Sequence, residues 1–278
     1  MSGRLIRIGV ARGLIEMRQT MTTPSDLIGY AFSPVLLVEL LYLIRDEKVP
    51  GSDLSLGAYS LVSSMAMLLV IGALLAMAQY LTMDREDGTL LRAKAVPNGM
   101  VGYLIGRIVL VAGTSVFTCA VALIPGAFLV DGLRFDLGTV LTLLWLVPLG
   151  LLALMPVGAV LGSFFESVRT GSLLMLPVLA ITGISGVFYP ISALPGWLQG
   201  VGQSFPMYWL GLGLRSAFLP VSGPATLWPA ALWPAAGVLA LWAVAGLALA
   251  PGVLRRMARR ESGSLVAARR ERALARTV

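Results

Sequence analysis

The chain has 278 residues, of which 57% are hydrophobic and 13% are charged, and its formal net charge is +7. Soluble domains carry roughly 25% charged residues, so this composition excludes a soluble enzyme and indicates an integral membrane protein. The sequence has no histidine, which excludes HExxH zinc sites, Ser-His and Cys-His nucleophilic pairs and histidine-ligated haem. Neither Lys48 nor Lys94 stands in a GxxxxGK[ST] loop, so we expect no catalytic, cofactor-binding or metal-binding residue in this chain.

Residues 1–25 are predicted to form a cytoplasmic interfacial helix. Such a helix would lie on the membrane, with flanking arginines reaching the phosphates. A solvated basic leader is the alternative interpretation. Five apolar residues fall within a narrow arc at about 100° per residue: Ile6, Val10, Leu14, Met17 and Met21.

Six long apolar stretches follow, each near the ~20 residues that a helix needs to cross about 30 Å of hydrocarbon. We therefore predict an all-α membrane domain over residues 26–254 with six spans. All but four of the 21 Lys and Arg residues lie before the first span, in the second connection or the start of the third stretch, in the fourth connection, or in a basic tail at 255–278. This asymmetry predicts that both termini are cytoplasmic. The anionic lipid surface accounts for the positive charge, so we do not expect nucleic acid as a partner. The stretches are Leu27–Ile44, Ala58–Leu81, Val101–Val130, Thr139–Phe165, Ser172–Ile191 and Pro229–Val253.

The second connection, residues 84–97, is the most informative polar segment. Acidic residues come first, then two leucines, then bases, and a proline ends the run, an order that suits a short helix and its dipole. We interpret this segment as a cytoplasmic docking helix; a solvated loop is the alternative. Its candidate residues are Asp84, Arg85, Glu86, Gly88, Thr89, Leu90, Leu91, Arg92 and Pro97.

The stretch 172–219 is too long for one span and too interrupted by prolines for two. Two of these prolines suit the first turn of a helix, so we predict short helices at 196–203 and 207–219. We interpret residues 192–219 as a re-entrant hairpin in the outer leaflet, with its aromatic rings at the headgroups. A seventh and an eighth full span are the alternative. The candidate residues of the hairpin are Pro190, Pro195, Trp197, Pro206, Trp209 and Arg215.

A substrate path would need groups inside the spans, and the sequence offers few. Glu39 is the one ionisable residue well inside a predicted span, and such residues mark ion pathways. Aromatic and methionine side chains could line an apolar path, although they more often face lipid or a neighbouring helix. The candidate path residues are Tyr30, Phe32, Glu39, Tyr42, Met65 and Met67.

Two sequence motifs carry a family resemblance. The first is an acidic-basic-acidic run, then x-Gly-Thr-Leu, ending in Pro, and it reads Asp84-Arg85-Glu86-Asp87-Gly88-Thr89-Leu90 through Pro97. The second reads Ser185-Gly186-Val187-Phe188-Tyr189-Pro190, then Leu194-Pro195, Trp197-Leu198, Phe205-Pro206 and Leu214-Arg215. In both motifs the chain resembles the ABC-2 family of ATP-binding-cassette exporter permeases, and the resemblance covers nearly the whole sequence.

The resemblance implies that the chain is one transmembrane half of a bacterial cell-membrane exporter. A second permease copy or a related permease would complete the path, and two cytoplasmic ATPase subunits would bind ATP and Mg and drive it. The segment 84–97 would be the coupling helix that rests on the ATPase, and its movement would rearrange the first, second and fifth spans. Because the spans hold little charge, we expect a hydrophobic or amphipathic substrate, such as a drug, an antibiotic or a lipid-like compound.

The sequence leaves two other functions open. One is a non-transport membrane module, either a sensor partner or an assembly scaffold. The other is an ion-coupled secondary carrier centred on Glu39. An ATPase gene beside this one would favour the exporter, and its absence would favour the alternatives.

Overall fold

A computed structural model describes residues 2–49, 54–96, 99–165, 167–187, 191, 194–219 and 227–260. This part of the chain is helical and contains no β-strand, which confirms the predicted all-α class. The helices, numbered in chain order, are α1 (Ser2–Thr22), α2 (Pro24–Ile44), α3 (Leu56–Glu86), α4 (Thr89–Lys94), α5 (Gly99–Leu129), α6 (Leu137–Gly162), α7 (Val168–Ile184), α8 (Gly196–Ser204), α9 (Pro206–Phe218) and α10 (Leu227–Arg260).

Five of the described helices, α2, α3, α5, α6 and α10, are long and apolar enough to cross a membrane. Helix α7 is shorter and rises only about 26 Å at 1.5 Å per residue. It starts before the predicted stretch Ser172–Ile191 because the side chain of Ser167 accepts a hydrogen bond from the Thr170 N–H and begins the helix early. It ends early as well, and Gly186 follows it with a φ of 61°.

Helix α3 continues past the predicted end of the second span at Leu81 and includes the charged residues up to Glu86. Gly88 then adopts a φ of 71°, a left-handed conformation that glycine tolerates, and α4 begins directly after it. The predicted bounds of the short helix, 84–97, are therefore wrong at the start, because the acidic residues belong to α3. Pro97 lies outside the described residues.

The bundle has two distinct ends. We call the end that carries α4 the short-helix end; the last turns of α3 and α6 meet there, since Arg85 of α3 donates a hydrogen bond to the Phe165 carbonyl. At the opposite end, between α2 and α3, Lys48 and Ser55 form an isolated antiparallel bridge. Helix α10 continues through the start of the predicted basic tail to Arg260, and residues 261–278 lie outside the described part.

Helix α1 is confirmed, and a glycine face packs it against α5. A Cβ atom at Gly9 would lie 2.8 Å from the Gly102 carbonyl oxygen, and one at Gly13 would lie 2.6 Å from that of Gly106. Small residues four apart let two helices approach this closely. Two residues of the predicted apolar arc, Ile6 and Leu14, do not pack against the bundle and are about half exposed. Their contact with the membrane surface stays a prediction.

The two short helices predicted after residue 192 are present as α8 and α9, within a residue or two of their predicted bounds. Helix α9 ends at the opposite end of the bundle, where the Phe218 carbonyl accepts a hydrogen bond from the Arg134 N–H at 2.7 Å. Its other end reaches halfway along α6, where Leu210 packs against Gly150. Helix α9 is only about 20 Å long, so the alternative of two further full spans is wrong.

The position of Trp209 differs from the expectation. Trp209 lies in the first turn of α9, and its indole N–H donates to the Gln203 carbonyl at 2.7 Å, beside the turn between α8 and α9. This turn is the end of the hairpin that reaches into the bundle, so the predicted headgroup position does not fit Trp209. Local sequence shows that a proline begins a helix, but it does not show at what depth the helix stands. Trp197 of α8 is 71% exposed, and Pro190 lies outside the described residues.

Candidate functional site

A cavity of about 1170 Å³ lies among α1, α2, α3, α5 and α7. Typical small-molecule sites have roughly 300–1,000 Å³, so this cavity has room for a drug-sized compound. Leu68 and Ile71 line its apolar part, and Asp26, Gln79 and Arg107 line its polar part toward the short-helix end. The arrangement is an amphipathic cavity whose polar part lies toward the short-helix end.

Arg107 of α5 binds carboxylates from two other helices in the wall of the cavity. Its Nε lies 2.7 Å from Asp84 Oδ2, and its Nη1 lies 2.9 Å from Glu16 Oε2. Asp84 also accepts a hydrogen bond from the Tyr103 hydroxyl at 2.6 Å, and Glu16 pairs with Arg12 at 2.8 Å. Only 4% of the Asp84 side chain and 12% of the Arg107 side chain are exposed. Helices α1, α3 and α5 are thus joined by two cations and two anions, whose charges balance.

Two tyrosine hydroxyls meet at the cavity and connect α2 with α3. The hydroxyl oxygens of Tyr30 and Tyr80 are 2.6 Å apart, and both residues line the cavity. The Arg107 guanidinium carbon lies 4.9 Å from the centre of the Tyr80 ring, a distance typical of a cation–π contact. The tyrosine pair therefore links α2 to the same charged group.

A π-helical segment, Ile71–Leu75, interrupts α3 beside the cavity. Such segments frequently occur at functional sites. A Cβ atom at Gly72 would lie 2.6 Å from Ser115 Oγ, and one at Gly158 of α6 would overlap the Leu74 carbonyl. The segment is held from two sides by contacts that require glycine.

Three of the predicted docking residues face their own chain. Asp84 is held by Arg107, Arg85 donates to the Phe165 carbonyl at 2.9 Å, and Leu90 is 1% exposed. The free apolar surface expected from Leu90 is therefore not formed. Helical spacing places an apolar residue on one face, but it does not show whether this chain or a partner covers that face.

The other predicted docking residues lie nearer the surface. Arg92 is exposed, and its Nη2 donates to Thr89 Oγ1 at 3.0 Å. Leu91 is half-buried. The Glu86 carboxylate accepts a hydrogen bond from the Val168 N–H at 3.2 Å and so connects α3 with the start of α7. A role of these residues in docking stays a prediction.

The candidate path residues are scattered. Tyr30 lines the cavity. Met65 is 4% exposed and belongs to the packed core, whereas Phe32 and Tyr42 are 62% and 51% exposed on α2. Glu39 is exposed as well, and Met67 is half-buried; neither lines the cavity. Aromatic or methionine character alone thus does not identify the cavity wall.

The hairpin residues are partly brought together. Pro206 is buried at the first turn of α9, and Pro195 is exposed at the start of α8. Arg215 is 6% exposed; its Nη1 donates to the Val187 carbonyl at 3.0 Å, and its guanidinium lies 5.8 Å from the centre of the Tyr59 ring. Arg215 therefore fixes the chain after α7 against α3 and α9.

Sequence reasoning missed several residues of the cavity wall. Asp26, Gln79, Tyr80 and Thr118 all line the cavity, but none was assigned to a path. The signal was present, because a polar side chain within an apolar helix usually faces a cavity or a neighbouring helix. The search for ionisable residues alone led to Glu39 instead.

The comparisons with known proteins agree with this architecture. No curated protein matches the sequence. The family model described as "ABC-2 family transporter protein" matches residues 32–250, which is more than three quarters of the chain. The matched region contains the cavity-lining parts of α3, α5 and α7, the short helix and the hairpin. The chain therefore belongs to the ABC-2 family of transporter proteins: it is the multi-pass membrane subunit of an ABC transporter, not an enzyme, and ATP hydrolysis resides in a partner subunit with an ATP-binding cassette.

Proposed function

We propose that the chain forms the substrate path of an exporter for hydrophobic or amphipathic compounds, such as drugs, antibiotics or lipid-like molecules. The observation that carries this proposal is the amphipathic cavity of about 1170 Å³, whose polar part lies toward the short-helix end. A compound entering from the short-helix end would reach polar groups first and the apolar part of the cavity later. Transport toward the opposite end is then export, if the short-helix end is cytoplasmic.

The link between ATP hydrolysis and the cavity is α3. Tyr80 lines the cavity, and α4 starts only three residues after the end of α3 at Glu86. In our proposal α4 rests on a cytoplasmic ATPase subunit, which binds ATP and Mg, and moves with it. Because Glu86 also holds the start of α7, this movement would reach two walls of the cavity at once.

We further propose six spans, in which α7 and the hairpin α8–α9 together form the fifth. Both termini would then be cytoplasmic, in a bacterial cell membrane. A second permease copy or a related permease would complete the path; the exposed side chains on α2, such as Phe32 at 62% and Leu43 at 73%, support a cover by lipid or by that second subunit. The ion-coupled alternative gains no support, because Glu39 does not line the cavity.

The test uses a charge reversal on α4 that leaves the fold intact. Arg92→Glu alters an exposed side chain whose hydrogen bond is to Thr89 of its own turn. Arg134→Glu, at the opposite end of the bundle, is the matched control. The permease is co-expressed with its partner ATPase subunit. Co-purification of the two proteins and ATP-driven uptake of a fluorescent amphiphile into inside-out vesicles are then measured.

We expect Arg92→Glu to weaken ATPase association and uptake, since a wrongly placed charge at an interface costs on the order of a few kcal/mol. Arg134→Glu should leave ATPase association unchanged. Normal co-purification and uptake with Arg92→Glu would show that α4 does not dock. A wild-type complex that forms and hydrolyses ATP but moves no amphiphile would contradict the proposed substrate class.

A further inference from the structure

The charges that line the cavity are mostly acidic. Among the described residues that line it, Arg107 is the one basic residue, whereas Glu16 and Asp26 both contribute carboxylates. A solute in the cavity would feel whichever of these charges is not already neutralised within the protein. The carboxylate that stays unpaired therefore determines which ligand the cavity favours.

The positive charge of Arg107 is already neutralised by carboxylates of the same chain. It pairs with both Asp84 and Glu16, and Glu16 is shared with Arg12. Two guanidinium groups thus face two carboxylates, and the group is neutral as a whole. An anionic ligand would have to displace one of these carboxylates, of which Asp84 is only 4% exposed.

Asp26 is different, because it is exposed to the cavity and unpaired in the part of the chain that the structure describes. It lies in the first turn of α2, and Tyr30 follows it by one helical turn, so both side chains lie on the same face of the helix. A carboxylate next to an aromatic ring is a suitable environment for an organic cation.

The rest of the wall fits a large apolar body with few polar groups. Leu68, Ile71 and Leu75 of α3 form an apolar surface further from the short-helix end. Gln79, nearer to Asp26, and Thr118 of α5, at the level of Leu68, also line the cavity. Their side chains make no hydrogen bonds within the described residues and are available to a ligand.

From this arrangement we propose that the cavity selects organic cations with an apolar body, such as lipophilic amines or phosphonium ions, over anions of the same size. The cationic centre would lie at Asp26 and Tyr30, and the apolar groups would pack along Leu68, Ile71 and Leu75. This inference rests on the proposed transport function and narrows its substrate class.

The experiment uses two probes of matched shape and opposite charge, tetraphenylphosphonium and tetraphenylborate. Equilibrium dialysis measures their binding to the purified permease in nanodiscs of neutral lipid, with empty nanodiscs as the blank. We expect saturable binding of the cation and none of the anion. Asp26→Asn should weaken cation binding roughly fivefold, as for the loss of one partly screened charge contact. Glu39→Gln, a carboxylate on the same helix outside the cavity, should leave it unchanged.

Several outcomes would overturn the inference: anion binding as tight as cation binding, an Asp26→Asn variant with unchanged affinity, or no saturable cation binding at all. Thermal unfolding of each variant in detergent verifies that it is folded. Failure here is separable from failure of the proposed function, since uptake of an uncharged amphiphile by the complex with the ATPase is measured in parallel. Uptake of the uncharged amphiphile without cation binding would contradict only the preference for cations. The absence of both uptake and cation binding would contradict the proposed transport function as well.

Discussion

Arg107 is the residue on which the polar side of the cavity depends. A charged group inside a membrane helix is costly unless it is paired, and here two other helices, α1 and α3, supply its carboxylate partners. Asp84 contributes the most buried of them and receives a further hydrogen bond from Tyr103. Breaking such a pair leaves the remaining charge uncompensated, which costs more than the pair itself contributes.

Asp84→Ala should therefore destabilise the protein strongly, by about 3–5 kcal/mol. Asp87→Ala changes an exposed carboxylate three residues further on and serves as the control, with little expected effect. Thermal unfolding in detergent compares the variants. In the Asp84→Ala/Arg107→Ala double variant the two losses should not add, because each single change already breaks the same pair. Equal melting temperatures for Asp84→Ala and Asp87→Ala would contradict this role of Asp84.

At this scale the sequence predicted residue types but not the directions of their side chains. Asp84 and Arg107 are both recognisable as charged residues near the ends of apolar stretches. Their pairing joins positions 23 residues apart, and only the packing of α3 on α5 brings them together. Leu90 shows the same difficulty, because an apolar residue in a short polar segment suits a docking surface and a buried contact equally well.

Among the elements, α1 is attached more firmly than an amphipathic helix that only rests on lipid. Gly9 and Gly13 lie directly against the backbone of α5, and Glu16 reaches Arg107 one turn later. Backbone contacts of this kind leave no room for a side chain. Helix α1 is therefore part of the bundle rather than a separate membrane anchor.

Gly13→Leu should release α1 from α5, because its side chain would collide with the Gly106 carbonyl and with Val109. Gly3→Leu is the control, since a Cβ at Gly3 meets nothing within 4 Å. Limited trypsin digestion in nanodiscs measures the exposure of Arg12 and Arg18. We expect cleavage in α1 at least several-fold faster for Gly13→Leu than for Gly3→Leu; equal rates would show that the glycine face does not hold α1.

Some element bounds could be predicted because their signals are local. The start of α9 follows from Pro206 at its first turn, and the break after α1 follows from Thr23 and Pro24. The end of α3 could not be predicted, because charged residues usually end a span and here they stay helical through tertiary partners. The start of α7 depends on the capping side chain of Ser167, which lies before the apolar stretch.

For the molecule as a whole, the distribution of positive charge between the two ends sets the expected orientation. Arg45, Lys48 and Arg134 lie near the opposite end, whereas Arg92 and Arg169 lie near the short-helix end, which also receives the basic C-terminal turns of α10. Basic residues concentrate on the cytoplasmic side of membrane proteins. The short-helix end should accordingly face the cytoplasm.

Single cysteines test this orientation in a Cys119→Ser background, which removes the buried native thiol. Cysteines at positions 48 and 134 should react with an impermeant maleimide in intact cells. Cysteines at positions 92 and 169 should react only after the membrane is opened. Labelling of position 92 in intact cells would contradict the expected orientation, and the proposed direction of transport would then be wrong as well.

The cavity is the feature that the sequence could not supply at this scale. Five helices contribute to its wall, and each gives only a few polar residues that are unremarkable within their own segments. The apolar stretches, by contrast, were visible because hydrophobicity accumulates along a continuous segment. Membrane embedding was therefore predictable, while the path through the bundle needed the three-dimensional arrangement.

The π-helical segment of α3 determines the rotational phase of everything that follows it. An α-helix turns about 100° per residue, and a π-helical turn inserts additional backbone into that progression. With a regular helix in its place, Tyr80 and Asp84 would swing around the axis of α3, away from Tyr30 and Arg107 to which they are bonded. The side chains of the second half of α3 are thus rotated about the helix axis relative to the positions that a regular helix would give them. The polar wall of the cavity depends on this rotation.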